Sequence, residues 1–198
     1  NAKEVSVMVN QLLMSTATIA LNEEGIPYSP RKQGAGLASL FNAVNSAAYI
    51  TVDGIDRSKL ELGDDPSKKG KYDMKFNIVN TTDKALTYEF DLVGMTETVS
   101  SSDSDFVAEK DQILNGTTAV EVGVGGNKNE TDGKVTITVN PNATCKVSVN
   151  YTLSNEDKEK LGSVMYHLSE NLRKIAIMIM PVMNNTGKIK LLPTCKPT

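Results

Sequence analysis

KVTITVNPNATCKVSVNYTL, Lys134 to Leu153, is the stretch on which the fold turns. From Lys134 to Val139 every second residue is apolar, so Val135, Ile137 and Val139 fall on one face of an extended chain. Pro141 and Asn142 then turn the chain, since proline fixes its own φ and asparagine tolerates turn geometry. Beyond the turn, Cys145, Val147, Val149 and Tyr151 share the next face. A period of two marks a strand with one buried side, and two such strands joined by a short turn pair antiparallel.

The pattern recurs upstream. Lys71 to Val79 alternates, with Met74, Phe76 and Ile78 on one face and Tyr72 an outlier. Asn80 to Asp83 (NTTD) reads as a turn, and Thr87 to Val93 then sets Tyr88, Phe90 and Leu92 against Thr87, Glu89 and Asp91. Paired alternating strands with Asn, Asp and Pro at the turns predict a mainly β fold: an antiparallel sandwich of immunoglobulin-like type from Ile50 to Leu153. Ser100 to Asp105 (SSSDSD) and Val122 to Lys134 (VGVGGNKNETDGK) are polar or glycine-rich and are expected as surface loops. No internal repeat is evident.

Before the sandwich the period is helical. Val5, Met8, Val9, Leu12 and Leu13 recur at helix spacing between Lys3 and Ala17. Pro27 and Pro30 force extended geometry on their predecessors, and Gly34 and Gly36 suit close backbone approach or positive φ. Leu37, Leu40, Phe41, Val44 and Ala48 then outline a second short helix with one apolar face. Two helices joined by a Pro/Gly loop do not make a stable core alone, so they need a partner surface. The chain thus divides into a helical piece (1–49), the sandwich (50–154) and a charged turn with an atypical tail (155–198). In that tail a methionine-rich run, IAIMIM, is stopped by Pro181, and Asn184 to Thr198 shows no clear periodicity.

Composition narrows the function classes. The 198 residues are 39% hydrophobic and 23% charged, which describes a globular protein rather than a disordered one. Formal net charge is −3, and no basic stripe with interleaved aromatics occurs, so nucleic acid is not an expected partner. Cys145 and Cys195 fit no metal spacing, and with His167 the single histidine no structural zinc site and no cofactor are expected. No run of eighteen apolar residues is present to cross a membrane. The chain opens on Asn1 and runs straight into an apolar-periodic segment, as an excised fragment would.

QLLMSTAT, Gln11 to Thr18, followed by SPRKQGAGL, Ser29 to Leu37, resembles the C-terminal end of a subtilisin-like serine peptidase domain. The Ser-Pro-Arg-Lys-Gln prefix is similar to the large cell-envelope proteinases of the lactocepin type, in which a fibronectin type III-like sandwich follows the catalytic domain. NTTDKALTYEF (Asn80 to Phe90) and TVNPNATCKVSVNYTLSNEDKEKL (Thr138 to Leu161) resemble that first sandwich. Ala38 and Ser39 depart from the family, which has a β-branched residue and Asn or Asp there. The tail also departs from it, and Met165 to Thr198 is expected to be a non-native reading frame or junction.

The resemblance implies a secreted or cell-wall parent that hydrolyses peptide bonds in proteins with an activated serine. It carries no catalytic residue onto this chain. The family's catalytic Asp, His and Ser lie upstream of the leucine-methionine helix, and the nucleophile's Gly-Thr-Ser-Met signature does not occur here. A triad needs a base within reach of a hydroxyl, and His167 reads as a tail residue. The expected catalytic, cofactor and metal sites are therefore none, and the expected partner is the remainder of the peptidase domain. The fragment reading expects residues 1 to about 48 to stay poorly ordered for want of that partner. A stand-alone adhesion or binding module is the alternative, and it expects the same residues to be protected.

Smaller signals have plain readings. Asn80, Asn115, Asn129, Asn142, Asn150 and Asn184 each begin an Asn-X-Ser/Thr pattern, read as Asn/Thr-rich turns before glycan acceptors. Gly123 to Gly126 (GVGG) leads into no helix, so it reads as a flexible loop rather than a phosphate cradle. Asp103 and Asp105 lack the glycine turn and distal glutamate of a calcium loop. Cys145 reads as a buried thiol, and Arg31 with Lys32 as a solvent-facing or carboxylate-paired couple.

Overall fold

A computed structural model of the protein describes residues 1–61, 69–102, 105–159, 178–184 and 188–194. His167, Cys195 and Asp103 lie outside them. The chain opens with α1 (Ala2–Ser15), α2 (Pro30–Gln33) and α3 (Leu40–Val44). Strands β1 (Ala48–Thr51), β2 (Leu60–Glu61), β3 (Lys71–Asn80) and β4 (Leu86–Leu92) follow. Then come β5 (Met95–Ser102), β6 (Asp105–Ile113), β7 (Thr117–Val122) and β8 (Gly126–Thr131). Strands β9 (Lys134–Val139), β10 (Thr144–Thr152), β11 (Met178–Asn184) and β12 (Lys188–Thr194) complete the order.

Alternation becomes a sandwich. β3 exposes Lys71, Asp73 and Lys75 and buries Tyr72, Met74, Phe76 and Ile78. Tyr72, read as an outlier, belongs to this face: it stands opposite Tyr151 on β10, and both rings are buried. The pairs Met74–Val149, Phe76–Val147 and Ile78–Cys145 continue the face along the antiparallel ladder. With β1 and β7 on its flanks this makes a four-stranded sheet, β1-β3-β10-β7. A second sheet runs β2-β11-β12-β4-β9-β8, with β5 beside β12 and β6 beside β5. β12 runs parallel to β4 and β5, and every other named pairing is antiparallel. Tyr88, Phe90, Ile137 and Val139 from the second sheet close the core against the first. The protein is mainly β, a sandwich with a short helical piece, as the alternation predicts.

Three stretches without alternation are nevertheless strands. β8 lies within the expected loop Val122 to Lys134 and pairs with β9. The two are joined by Asp132 (φ 52°) and Gly133 (φ 73°), the paired positive φ of a type I′ hairpin turn. From Asn127 onward β8 is exposed as an edge strand, so it needs no apolar face and gives no period-two signal. β5 and β6 likewise form a hairpin across the SSSDSD region, with a register shift between Glu97 and Val99. β11 and β12 pair within the atypical tail: β11 continues through Pro181, expected to stop the methionine-rich run, and β12 lies in the stretch without clear periodicity.

GVGG is a corner, not a flexible loop. Here the chain leaves β7 in the first sheet and enters β8 in the second. Gly123 N–H donates to Lys146 O at 2.8 Å, and Asn140 N–H donates to Gly125 O at 2.9 Å. A Cβ at Gly125 would stand 2.1 Å from Thr144 O, and one at Gly126 would stand 2.3 Å from Thr138 O. Only hydrogen fits where the crossing strand presses on two backbones.

Candidate interaction surface

The SPRKQGAGL segment is a folding device for the loop it closes. Ser29 is fully buried, and its carbonyl accepts the N–H groups of Lys32 and Gln33 at the start of α2. Pro30 opens the helix where a missing N–H costs nothing. Gln33 Oε1 accepts Ala20 N–H at 2.7 Å, while Nε2 donates to the carbonyls of Ala20 and Tyr28. Thr18 and Leu37 exchange two main-chain hydrogen bonds of 2.8 Å. Gly36, at φ 111°, permits this, because a Cβ there would lie 2.3 Å from Thr18 O.

Lys32 Nζ donates to Asp111 Oδ2 on β6 at 3.0 Å, and the Asp111 side chain is 2% exposed. The carboxylate-paired reading of Lys32 therefore holds, and the pair ties α2 to the β5–β6 hairpin. Arg31 lies outside the described side chains.

α1 turns a mixed face inward, with Val7, Leu12, Leu13 and Met14 half-buried. A capping box between Asn1 and Glu4 starts it. It buries the polar Gln11 and Ser15 against the sandwich and leaves Val5, Met8 and Val9 exposed. α3 likewise leaves apolar residues exposed. Ser39 caps it by accepting Asn42 N–H, and its small Ala43 is buried. Leu37, Leu40, Phe41 and Val44, expected as one apolar face, are 74%, 71%, 72% and 70% exposed. Gln33 to Val52 carries no charged residue. The result is exposed apolar side chains on both α1 and α3, uncharged along α3, beside a sandwich with a buried core of its own.

Ser15 docks the helix. Its Oγ accepts Ile50 N–H at 2.9 Å and lies 3.2 Å from Ser58 Oγ. Ser58 Oγ in turn donates to Ile50 O, so Ser15 is the donor between the two hydroxyls. The ring closes on both main-chain groups of one residue in β1, an edge strand of its sheet. Sequence reasoning missed Ser15 and Ser58, which carry no periodicity.

Compared with known proteins, the chain matches no family model and no curated protein sequence.

The remaining candidates resolve individually. Among the described residues no group of His, Cys, Asp and Glu is placed to hold a metal ion. No helix of the described residues is long and apolar enough to cross a membrane. Cys145 is a free, buried thiol whose pKa burial raises, which disfavours the thiolate needed for nucleophilic attack. Of the Asn-X-Ser/Thr asparagines, Asn115, Asn129, Asn142 and Asn150 are exposed. Asn80 is 2% exposed, and its amide donates to the carbonyls of Lys84 and Asn140 at 2.7 and 3.0 Å. Asn80 is thus a structural amide with no room for a glycan. The side chain of Asn184 lies outside the described ones.

Proposed function

We propose that this chain is an accessory part of a secreted or cell-envelope subtilisin-like serine endopeptidase: the closing helical segment of the peptidase domain with the fibronectin III-like sandwich beside it. The observation that carries this reading is the apolar surface of α1 and α3. It lies on the segment whose residues resemble the end of such a domain. Its α3 part is uncharged, since Gln33 to Val52 holds no charged residue, which fits the apolar body of a protein better than an ionic partner. The occupant is the remainder of the peptidase domain. That body supplies the nucleophile, base and oxyanion donors, none of which the resemblance places on these residues.

The test has two arms. The coding sequence contiguous with Asn1 is expected to contain, in frame, a Gly-Thr-Ser-Met motif some tens of residues upstream; a continuous frame without one refutes the parent. The chain by itself is expected to cleave no peptide bond. A peptidase rate abolished by a serine-directed covalent inhibitor would refute its accessory role.

A stand-alone binding module is the second reading, and the Ser15–Ser58 ring favours it. That ring gives the helical segment a partner inside this chain. On this reading the purified chain holds a ligand without any added peptidase body.

A further inference from the structure

We propose that the hydroxyl ring of Ser15, Ser58 and Ile50 is a lock that makes the helical segment and the sandwich one cooperative unit, holding the apolar surface of α1 and α3 in a preformed shape. The proposal rests on neither reading of the parent protein, since it concerns only contacts within the chain. Its basis is the direction in which α1 is docked. A helix held by hydrophobic burial would turn Val5, Met8 and Val9 inward, but these are exposed. What α1 buries fully is the pair Gln11 and Ser15, while Val7, Leu12, Leu13 and Met14 are only half-buried. Its attachment therefore joins partial apolar contact to a fully buried polar centre, the Ser15 and Ser58 hydroxyls.

Buried hydroxyl chains are costly when broken, because each group left over has lost its water as well as its partner. Removing either hydroxyl orphans a main-chain group of Ile50. Removing Ser58 also takes away the hydroxyl that lies 3.3 Å from Gln11 O in α1. The ring thus couples the helix, β1 and the loop after β1 in one step. A surface held in shape before it meets a partner avoids the ordering cost at association.

Hydrogen exchange on the whole chain tests this. In the unaltered protein the amides from Val9 to Met14 are expected to exchange as slowly as those of β3 and β10, through the same global opening. Ser58→Ala is expected to speed the helix amides roughly 10- to 100-fold while β3 and β10 stay unchanged. Ser15→Ala combined with Ser58→Ala should add little to either alone, as for groups acting as a unit. Fast helix exchange in the unaltered protein overturns the proposal. So does Ser58→Ala leaving the helix unchanged, or speeding helix and strands by the same factor, since the coupling would then survive without the ring.

Discussion

Replacing Asn80 tests how far one side chain holds the end of the sandwich. Its Oδ1 accepts Thr82 N–H at 2.9 Å and the Thr82 hydroxyl at 2.8 Å. Its Nδ2 donates to Lys84 O at 2.7 Å and Asn140 O at 3.0 Å. One amide therefore closes the turn after β3 and pins it to the end of β9. Asn80→Ala forfeits these bonds at about 1 kcal/mol each and leaves their part-buried backbone partners to water, a loss of about 3 to 4 kcal/mol. With a urea m-value of about 2 kcal/mol/M, the midpoint should fall by about 1.5 to 2 M at unchanged m.

Asn80→Asp is the sharper variant. It keeps the acceptor for Thr82 but places a second oxygen among carbonyl oxygens. Burial and those carbonyls disfavour the charged form, so the introduced carboxyl has a folded pKa above its unfolded value of about 4. The folded state then binds the proton more tightly, and stability relative to the parent chain rises as pH falls through the folded pKa. Urea melts at pH 7 and pH 5 should show the deficit shrinking on acidification. A midpoint for Asn80→Ala within about 0.3 M of the unaltered chain, or an Asn80→Asp deficit independent of pH, would refute the reasoning.

Other perturbations separate distinct causes. Gly126→Ala should cost about 3 kcal/mol, because its Cβ meets Thr138 O at 2.3 Å and Cys145 Sγ at 2.7 Å. Gly54→Ala, where φ is 75° and no atom lies within 4 Å, should cost only about 1 kcal/mol; equal losses in thermal melts would show that sterics do not rule the corner. Burial pushes the Tyr88 hydroxyl up to about 12. The unfolded state therefore ionises first, and stability should be complete below about pH 10 and fall by about 2 kcal/mol as pH rises towards 12. Tyr88→Phe should flatten that alkaline slope, and an unchanged slope would exclude Tyr88 as its source. Leu40→Asp with Phe41→Asp should alter stability by less than about 1 kcal/mol while sharply reducing binding of a hydrophobic dye, since both side chains face solvent. A large fall in the unfolding midpoint would mean that α3 is packed within the chain.

Tyr151 shows where local reading stops. Its place on the buried face of β10 follows from alternation with Cys145, Val147 and Val149. Its second role does not: the hydroxyl accepts Gly116 N–H at 3.1 Å, and the ring fills space where a Cβ on Gly94 or Gly116 would collide. Lys32 is similar. Its charge is plain in SPRKQ, but Asp111 stands 79 positions away in a segment with no alternation to announce it.

Residue order alone is enough to place β3, β4, β9 and β10, and with them the sandwich core. A strand with one buried face must alternate, and alternation is written within a few neighbouring residues. It also marked the helical stretches and the glycines of the SPRKQGAGL segment, because helical spacing, proline geometry and positive φ are local demands. Tertiary structure decided which side of α1 faces inward, which hydroxyls meet at Ile50, and why Gly125 and Gly126 cannot carry side chains. Those outcomes depend on satisfying buried polar groups and excluding atoms between segments far apart in sequence. Such a constraint leaves no period in the chain, since each partner looks ordinary until the fold brings them together.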